Sequence, residues 1–419
     1  MNVRFAWIVA TLIVVGVYWN PNAWGADWAM VHATAFPGRG EAIPDATILV
    51  KDGRIEAIGS RLPVPVGTPV VVDATGKYVT PGLVDLHSHM GVYAWPHGSA
   101  HNDGNESIHP VTPAVWAGDG VRVDDIAFAR ARAGGVTTVL VIPGSANLIG
   151  GQGVVLKLRP SRTLAGMQVE GAPRHIKMAC GENPKRVYQN DLHGPTTRMG
   201  NVAWMRETFI AAQDYKRDSR RAENPIPRDP DMETILDVLE GRIRVNVHCY
   251  RADDIEAVIR TMDAFGVKVS AFHHGTDAYK VRDLIAAHGA GVATWPDWWG
   301  FKFEAMDAIP EGVLFLKDAG VRVATHSDSP ETVQRLFIEA AKHVGVGLDE
   351  QRALETITID PAALLGMSDR IGSLEVGKDA DMALFSQHPF DVRTLVERTW
   401  IEGQLVYDRA LEGVPHAQQ

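Results

Sequence analysis

The sequence predicts an α/β protein: a (β/α)8 barrel of the TIM type, with a small β-sandwich domain built from both chain ends. Two observations lead to this prediction. In the middle of the chain, eight short apolar segments alternate with stretches of helical periodicity, and at both ends short strands follow one another through tight turns. The chain of 419 residues is long enough for one large domain and a smaller one.

The eight apolar segments of the middle region are the candidate barrel strands. Each is too short for a helix, and amphipathic stretches such as Ala252–Phe265 lie between them as candidate helices. The candidate strands are centred on Leu83–Leu86, Val136–Ile142, Gly153–Leu158, Ile176–Cys180, Ile243–His248, Val267–Phe272, Gly291–Thr294 and Val321–Thr325.

The chain ends carry signals for antiparallel hairpins. Asp52–Gly53 separates the apolar runs Thr47–Val50 and Ile55–Ile58, and Glu402–Gly403 lies inside a second hairpin candidate, Thr399–Tyr407. The predicted division of the chain is a signal peptide at 1–25, the N-terminal part of the β-sandwich at 26–79, the barrel at 80–368 and the C-terminal part of the β-sandwich at 369–419.

The first 25 residues resemble a signal peptide for export. Arg4 supplies a positive start, and Phe5–Trp19 is an apolar stretch of the usual length for a signal-peptide core. Ala23 and Gly25 are small residues at the spacing that favours cleavage before Ala26, although an uncleaved N-terminal anchor is the alternative. We therefore expect a periplasmic or extracellular protein, with no contact with a membrane beyond this segment.

The net charge indicates which binding partners are unfavourable, and the two cysteines raise the question of a disulfide. A net charge of -10 argues against nucleic acid or an anionic membrane surface as the main partner. The two cysteines, Cys180 and Cys249, are predicted to be free buried thiols near the site, and a disulfide or a metal-binding role is the alternative.

Two histidines directly follow the first candidate barrel strand. His87 and His89 have i, i+2 spacing, and side chains alternate along a strand, so both imidazoles leave on the same face and can reach one ion. Neutral imidazole is a ligand for Zn, Fe, Ni and Cu. Two ordinary surface histidines are the alternative interpretation.

Further metal-binding residue types occur where other candidate strands end. In a (β/α)8 barrel these ends lie on one rim, and functional side chains collect there. Imidazole or carboxylate groups at several ends of one rim therefore favour a shared metal site. Besides the first pair, the candidates are Lys177 and Glu182 at the fourth strand, His248 after the fifth, His273 and His274 after the sixth, and Asp328 after the eighth.

Several further motifs accompany these residues along the chain. They are Pro81–His89, Asn102–Glu106, Pro143–Asn147, Gly181–Lys185, His248–Asp254, His274–Tyr279 and Gly372–Asp381. On these motifs, the chain resembles the metal-dependent amidohydrolase superfamily, in particular its imidazolonepropionase-like and prolidase-like branch. The resemblance covers nearly everything after the export segment. It implies the barrel, the β-sandwich from both termini, and a site with one or two divalent ions, zinc being expected and Fe, Mn or Ni being alternatives.

The resemblance also implies roles for individual residues. His273 is displaced by one from the expected position, and because neighbouring strand residues face opposite ways, His274 is the one expected to face the metal. The bridging ligand is expected to be Glu182 or a carboxylated Lys177, with Glu182 ranked first. The full set of implied metal ligands is His87, His89, Lys177, Glu182, His248, His274 and Asp328.

Five residues are candidates for contact with the substrate. Asn147 and Gln152 follow the second strand in a glycine-rich turn, and Asn in such a turn often bonds its own backbone instead. Tyr250 stands where relatives often carry a second histidine. Trp295 and Trp298 follow the seventh strand and are expected to form a stacking wall at the barrel mouth, or else to pack beneath a lid.

Together these features predict an exported metal-dependent amidohydrolase that cleaves a non-peptide amide, a cyclic amide or a small dipeptide through a metal-activated water. Asp328 is predicted to take the proton from that water and to pass it to the leaving nitrogen. The alternatives are a deaminase or lactonase with the same site, or a non-catalytic barrel that binds a metal or ligand. The expected partner is a small molecule, and a homo-oligomer is left open.

Overall fold

The computed structural model describes residues 26–190, 194–221, 226–298 and 300–411. The predicted signal peptide at 1–25 lies outside the described residues. Within them, no helix has the length and apolar character needed to cross a membrane.

Strands from both chain ends form one sheet. Its order is β16-β15-β14-β5-β1-β2-β3, and β4 pairs with β1. The N-terminal and C-terminal parts meet where β5 pairs antiparallel with β14. The strands are β1 Trp28–Ala35, β2 Ile43–Lys51, β3 Arg54–Ser60, β4 Val70–Asp73, β5 Tyr78–Pro81, β14 Met382–Phe385, β15 Val396–Ile401 and β16 Gln404–Asp408.

The two predicted hairpins are present in this sheet. Asp52 and Gly53 both have positive φ angles, +49° and +74°, between β2 and β3. Glu402 and Gly403 repeat the pattern between β15 and β16, at +49° and +73°. Two successive positive φ angles characterise the type I′ turn, whose twist matches that of the flanking strands.

The eight predicted barrel strands are all present and form a second sheet, which is nearly closed. They follow chain order from β6 to β13, and β13 returns to lie beside β6. The strands are β6 Leu83–Ser88, β7 Val136–Val141, β8 Ile149–Lys157, β9 Arg174–Ala179, β10 Ile243–Cys249, β11 Val269–His274, β12 Gly291–Thr294 and β13 Val323–Thr325.

The prediction of an all-parallel barrel was wrong for one strand, β8. β8 pairs antiparallel with both β7 and β9, while the remaining neighbours are parallel. Only residues 142–148 connect β7 to β8, and a parallel return needs a crossover of a dozen or more residues. The start of β8 therefore lies on the same rim as the ends of the other strands.

Helices and loops surround the barrel. The predicted amphipathic helix is α6, and its buried residues Ile255, Val258, Ile259 and Met262 belong to the outer barrel core. The helices are α1 Ile126–Ala133, α2 Leu164–Met167, α3 Glu182–Tyr188, α4 Arg198–Arg221, α5 Pro230–Leu239, α6 Ala252–Ala264, α7 Arg282–His288, α8 Gly312–Asp318, α9 Leu336–Gly345, α10 Glu350–Glu355 and α11 Ile359–Leu365.

The prediction of free thiols was wrong, because Cys180 and Cys249 form a disulfide. Cys180 directly follows β9, and Cys249 ends the adjacent parallel strand β10. The Cys180 N–H donates to the carbonyl of His248, and this places the two Cα atoms 5.3 Å apart. That separation is within the usual range for a disulfide.

A buried lysine connects the end of β8 to the sheet built from both termini. Lys157 is fully buried, and its Nζ donates to Asp379 at 2.6 Å, to Glu402 at 3.0 Å and to Asp381 at 3.2 Å. Its three carboxylate partners lie beside β14 and in the turn between β15 and β16. Asp379 also pairs with Arg370 and Glu402 with Arg159, so the ammonium group is the counter-charge that buried Asp381 depends on.

We expect Lys157→Met to lower the free energy of unfolding by about 3–5 kcal/mol, because it leaves the buried carboxylate of Asp381 without its counter-charge. Urea unfolding followed by tryptophan fluorescence measures this change. Lys216→Met is the matched control, since Lys216 pairs with Glu240 on the surface and its loss should cost about 0–1 kcal/mol. Equal effects of the two substitutions would contradict the structural role of Lys157.

Candidate metal centre

Six histidines and one aspartate converge at the rim of the barrel. They come from the ends of four strands or from the residues directly after them, and all but His89 and Asp328 are buried. The cluster consists of His87 and His89 at β6, His248 at β10, His273 and His274 at β11, and His326 and Asp328 after β13.

Three of these side chains bring hydrogen-bond acceptors close together. The Nε2 atoms of His87 and His89 are 3.2 Å apart, and Asp328 Oδ1 lies 3.3 Å from the first and 3.2 Å from the second. His89 Nδ1 is 2.8 Å from the carbonyl oxygen of Ile142, which can only accept, so this nitrogen carries a proton. In the neutral ring, His89 Nε2 therefore presents its lone pair to the cluster.

A buried hydrogen-bond chain fixes the same tautomer for His87. Asn246 donates through Nδ2 to His175, so its Oδ1 accepts from His273 Nε2 at 3.0 Å. The other nitrogen of His273 must then accept from His87 Nδ1, also at 3.0 Å. Burial lowers the pKa of His87 well below its ordinary value, so the ring is neutral and its Nε2 carries a lone pair.

These lone pairs indicate a cation site. His87 Nε2 and Asp328 Oδ1 are both acceptors at 3.3 Å, and two acceptors at that distance repel each other unless a cation or a proton lies near both. Imidazole nitrogens and a carboxylate oxygen are a usual ligand set for zinc. The residues present therefore fit a divalent metal ion.

A second group of side chains adjoins the first. Ring nitrogens of His87, His274 and His326 also lie within 4.8 Å of one another. Both ring nitrogens of His248 and of His326, and Nδ1 of His274, are buried without a hydrogen-bond partner in the described part of the chain. Unsatisfied buried polar atoms are costly, so this arrangement fits ligands of a second ion.

The two adjacent histidines of β11 both belong to the cluster but take different places in it, and only His274 is placed as a metal ligand. His273 contacts His87 through the hydrogen bond described above. His274 ends β11 with a φ of +73°, a conformation that L-residues rarely adopt, and this turns its ring back toward His87 at 4.8 Å between centroids. His274 belongs to a ligand group, whereas both nitrogens of His273 are bonded to His87 and Asn246, so the choice of His274 as the metal ligand stays a prediction that this arrangement supports.

His326 was not among the candidates predicted from the sequence. This residue follows β13 directly and stands two positions before Asp328. His326 and Asp328 therefore have the same i, i+2 spacing as His87 and His89. The same spacing rule, applied to the residues after β13, would have found His326.

Lys177, rather than Glu182, lies against the cluster. Lys177 is buried on β9, with its Nζ 3.4 Å from His87 Nε2, and burial lowers the pKa of its amine to about 7. Glu182 begins α3, pairs with Lys302 at 3.2 Å and belongs to neither ligand group. The structure therefore does not bring Glu182 to the position expected of the bridging ligand.

Asp85 lies on β6, the first barrel strand, and connects it to the loop that carries Asp328. Its carboxylate accepts hydrogen bonds from the N–H and the hydroxyl of Ser327 and from the N–H of His87. Burial raises the pKa of Asp85 to about 7. Asp328 directly follows Ser327 in the chain and has a φ of +52°. The carboxylate of Asp85 thus holds both ligand-bearing segments in register.

The two candidates near β8 are both engaged by neighbouring residues, although Asn147 Oδ1 is buried without a hydrogen-bond partner in the described part of the chain. Asn147 is buried, and its Nδ2 donates to the carbonyls of Glu106 and His109, so it fixes the loop that follows β6. Gln152 lies within β8, and its Oε1 accepts from Arg174 Nη2 at 2.9 Å. Gln152 was assigned to a turn, but because β8 is longer than predicted, its side chain is engaged outside the cluster.

Aromatic rings cover one side of the histidine cluster. Tyr250 and Trp295 both stack on His274, with centroids at 5.0 and 4.5 Å. Trp298 stacks on Trp295 at 6.0 Å and is 37% exposed. Together with Phe301 and Asp328, these three rings line an open cleft of about 680 Å³. Trp295 therefore packs against the cluster, and Trp298 extends the aromatic surface toward solvent.

Comparison with known proteins agrees with this architecture. The sequence profile described as "Amidohydrolase family" matches residues 78–406. The chain is 38% identical to the crystal structure of an amidohydrolase from Thermotoga maritima MSB8, with a TM-score of 0.86, and the match covers 91% of this chain and 100% of that one.

Two curated relatives are similar over most of this chain. The amidohydrolase tasK of Hapsidospora irregularis is 33% identical over 401 residues, which cover 88% of this chain but 41% of that longer protein. An imidazolonepropionase of Sphingopyxis alaskensis is 26% identical over 392 residues, covering 82% of this chain and 87% of that enzyme. On this evidence, the chain belongs to the amidohydrolase family, typically metal-dependent hydrolases that act on carbon–nitrogen bonds.

Proposed function

We propose that the protein hydrolyses the amide or cyclic amide bond of a small molecule or dipeptide, with one or two divalent ions bound in the histidine cluster. The observation that carries this proposal is the convergence of His87 Nε2, His89 Nε2 and Asp328 Oδ1 within 3.3 Å of one another, beside an open cleft that Asp328 lines. Such a convergence of acceptors is expected around a cation and is unfavourable without one.

The residues that would hold the metal fall into two sets. His87 belongs to both: His89 and Asp328 complete the first, and His274 and His326, with His248 beside them, complete the second. Zinc is the expected ion, because the donors are mostly imidazole nitrogens. When bound, such an ion polarises the substrate carbonyl and lowers the pKa of water from 15.7 to about 7.

Lys177 is suited to a place between the two sets. Its buried amine has a pKa near 7, so a large neutral fraction is present at neutral pH and can react with carbon dioxide to give a carbamate. The carbamate oxygens would then replace Glu182 as the bridging ligand. This role is supported by the position of Lys177 Nζ at 3.4 Å from His87 Nε2.

Asp328 is the residue placed to move the proton. Its carboxylate lies against His89 and borders the cleft, with its side chain 25% exposed. It can accept the proton of the attacking water at Oδ1 or Oδ2 and later deliver it to the leaving nitrogen. The hydrogen bonds between Asp85 and Ser327 hold the loop in place for this transfer.

The aromatic side of the cleft supports a substrate with a flat or apolar group. Tyr250, Trp295 and Trp298 offer ring faces beside Asp328, and aromatic faces bind planar groups by stacking. A cleft of about 680 Å³ is within the usual size range of small-molecule sites. We therefore propose a ring-bearing amide, lactam or dipeptide as the substrate class.

Export to an oxidising compartment is also proposed. The apolar segment Phe5–Trp19 supports it, as does the disulfide between Cys180 and Cys249, because disulfides persist in the periplasm and outside the cell. Mass spectrometry of the mature protein from a periplasmic fraction tests this. An N-terminus at Ala26 would support it, and intact protein found only in the cytoplasm would contradict it.

We expect His326→Ala to lower the affinity for zinc at least about tenfold, because it removes one of the buried imidazoles of the second set. The measurement is competition with a chromophoric chelator after the protein has been stripped of metal. His32→Ala, which removes an exposed histidine of the terminal sheet, should leave the affinity unchanged. Equal zinc affinity of both variants would remove His326 from the site.

We expect Asp328→Asn to lower kcat by at least about a hundredfold, since the amide cannot accept the proton of the water. The assay is a panel of N-acyl amino acids, dipeptides and lactams with detection of the released amine, in which ammonia release would identify a deaminase. Asp318→Asn, an exposed carboxylate paired with Arg352, is the control. Near-normal turnover of Asp328→Asn with its metal retained would exclude the proposed role.

We expect Trp298→Ala to raise KM for a ring-bearing substrate by roughly two- to tenfold, the range that corresponds to a lost stacking contact of about 0.5–1.5 kcal/mol. Phe303→Ala is the matched control, because Phe303 lies on the same segment, is 80% exposed and does not line the cleft. A Trp298→Ala enzyme whose KM is unchanged for ring-bearing substrates would contradict the stacking wall.

A further inference from the structure

A second, smaller pocket adjoins the aromatic cleft. Its volume is about 240 Å³, and its lining includes Tyr93, His89 and Asp328. Asp328 borders both spaces. A scissile bond held at Asp328 would therefore have the aromatic cleft on one side and this polar pocket on the other.

The hydroxyl of Tyr93 has an unused proton in this pocket. Asn105 Oδ1 accepts from the N–H of Ala146 at 3.1 Å, which fixes its amide so that Nδ2 donates to the oxygen of Tyr93. The phenol oxygen thus acts as an acceptor, and its own O–H has no acceptor among the residues that the structure describes. A phenol is protonated at neutral pH, so this O–H is a donor available to a ligand.

The ring of Tyr93 is held tightly by two glycines. A Cβ atom at Gly104 would lie 2.2 Å from Cζ of Tyr93, and one at Gly144 would lie 2.8 Å from its hydroxyl oxygen. The N–H of Gly144 donates to the carbonyl of Gly104 at 2.8 Å, so the two glycines are bonded to each other. His89 also packs against this ring, which it meets edge-on at 5.5 Å between centroids. The hydroxyl is therefore positioned before any substrate arrives.

We propose that Tyr93 is a catalytic residue that donates its O–H to the carbonyl oxygen of the substrate as negative charge develops there. This inference rests on the proposed amide hydrolysis. When water forms its bond to the carbonyl carbon, the electron pair of the C=O π bond moves to the oxygen, and the water proton goes to Asp328. The hydrogen bond from Tyr93 strengthens as the oxygen becomes anionic. When the C–N bond breaks, the pair returns to C=O, the nitrogen takes the proton, and Tyr93 keeps its own.

The first test is Tyr93→Phe, which removes only the hydroxyl. A donor to the oxyanion contributes about 10²–10³ to kcat, so kcat should fall at least about a hundredfold while KM changes less than about threefold. Tyr279→Phe is the control, because the Tyr279 hydroxyl donates to the carbonyl of Asp307 and does not line this pocket. Its kcat should stay within about twofold of wild type.

A second readout separates catalysis from a structural role. A phosphonate that mimics the tetrahedral adduct should bind Tyr93→Phe about a hundredfold more weakly than wild type, whereas zinc affinity and thermal midpoint stay unchanged. Asn105→Ala, which frees the hydroxyl from its fixed orientation, should lower kcat about tenfold. This variant also tests the proposal if Tyr93→Phe fails to fold.

The outcomes distinguish this inference from the function on which it rests. Hydrolysis by wild type with a Tyr93→Phe kcat within about threefold would overturn the role of Tyr93 and leave the proposed function intact. Equal losses of phosphonate binding and zinc affinity would show a structural role and would also overturn it. Absence of hydrolysis by wild-type protein across the amide panel would overturn both.

Discussion

The acceptor atoms of His87, His89 and Asp328, held within 3.3 Å of one another, are the constraint on which the rest of the site depends. Two imidazole lone pairs and a carboxylate oxygen repel one another at such distances, and burial of His87 removes the water that would screen them. A bound cation turns this repulsion into attraction. The barrel supplies the rigidity that keeps the three groups together until the ion arrives.

The surrounding residues maintain that arrangement through hydrogen bonds rather than through direct contact with the ion. Asn246 and His273 determine which nitrogen of His87 carries the proton, and the Ile142 carbonyl does the same for His89. Asp85 joins the end of β6 to the loop of Asp328. The positive φ angles of His274 and Asp328 are strained positions, and such strain is stored where the geometry of a site requires it.

The sequence was sufficient for the barrel strands, the terminal hairpins and most of the histidine cluster, because short apolar runs, Asp-Gly turns and the residues at strand ends can be read locally. It was not sufficient for features that depend on contacts between segments distant in sequence. The reversal of β8 follows from a short connection, and the approach of Cys180 to Cys249 follows from the pairing of β9 with β10. Glu182, ranked ahead of Lys177 as the bridging ligand, instead pairs with Lys302. Because Lys302 is distant in sequence, this pairing could not be predicted from local patterns.

The central claim is that a metal ion lies between His87, His89 and Asp328. The most direct measurement is an anomalous difference map at the zinc absorption edge, from crystals grown with zinc. We expect a peak at about 2.0–2.2 Å from Nε2 of His87, Nε2 of His89 and a carboxylate oxygen of Asp328. A map without a peak there, with the Lys177 ammonium donating to these acceptors instead, would contradict it.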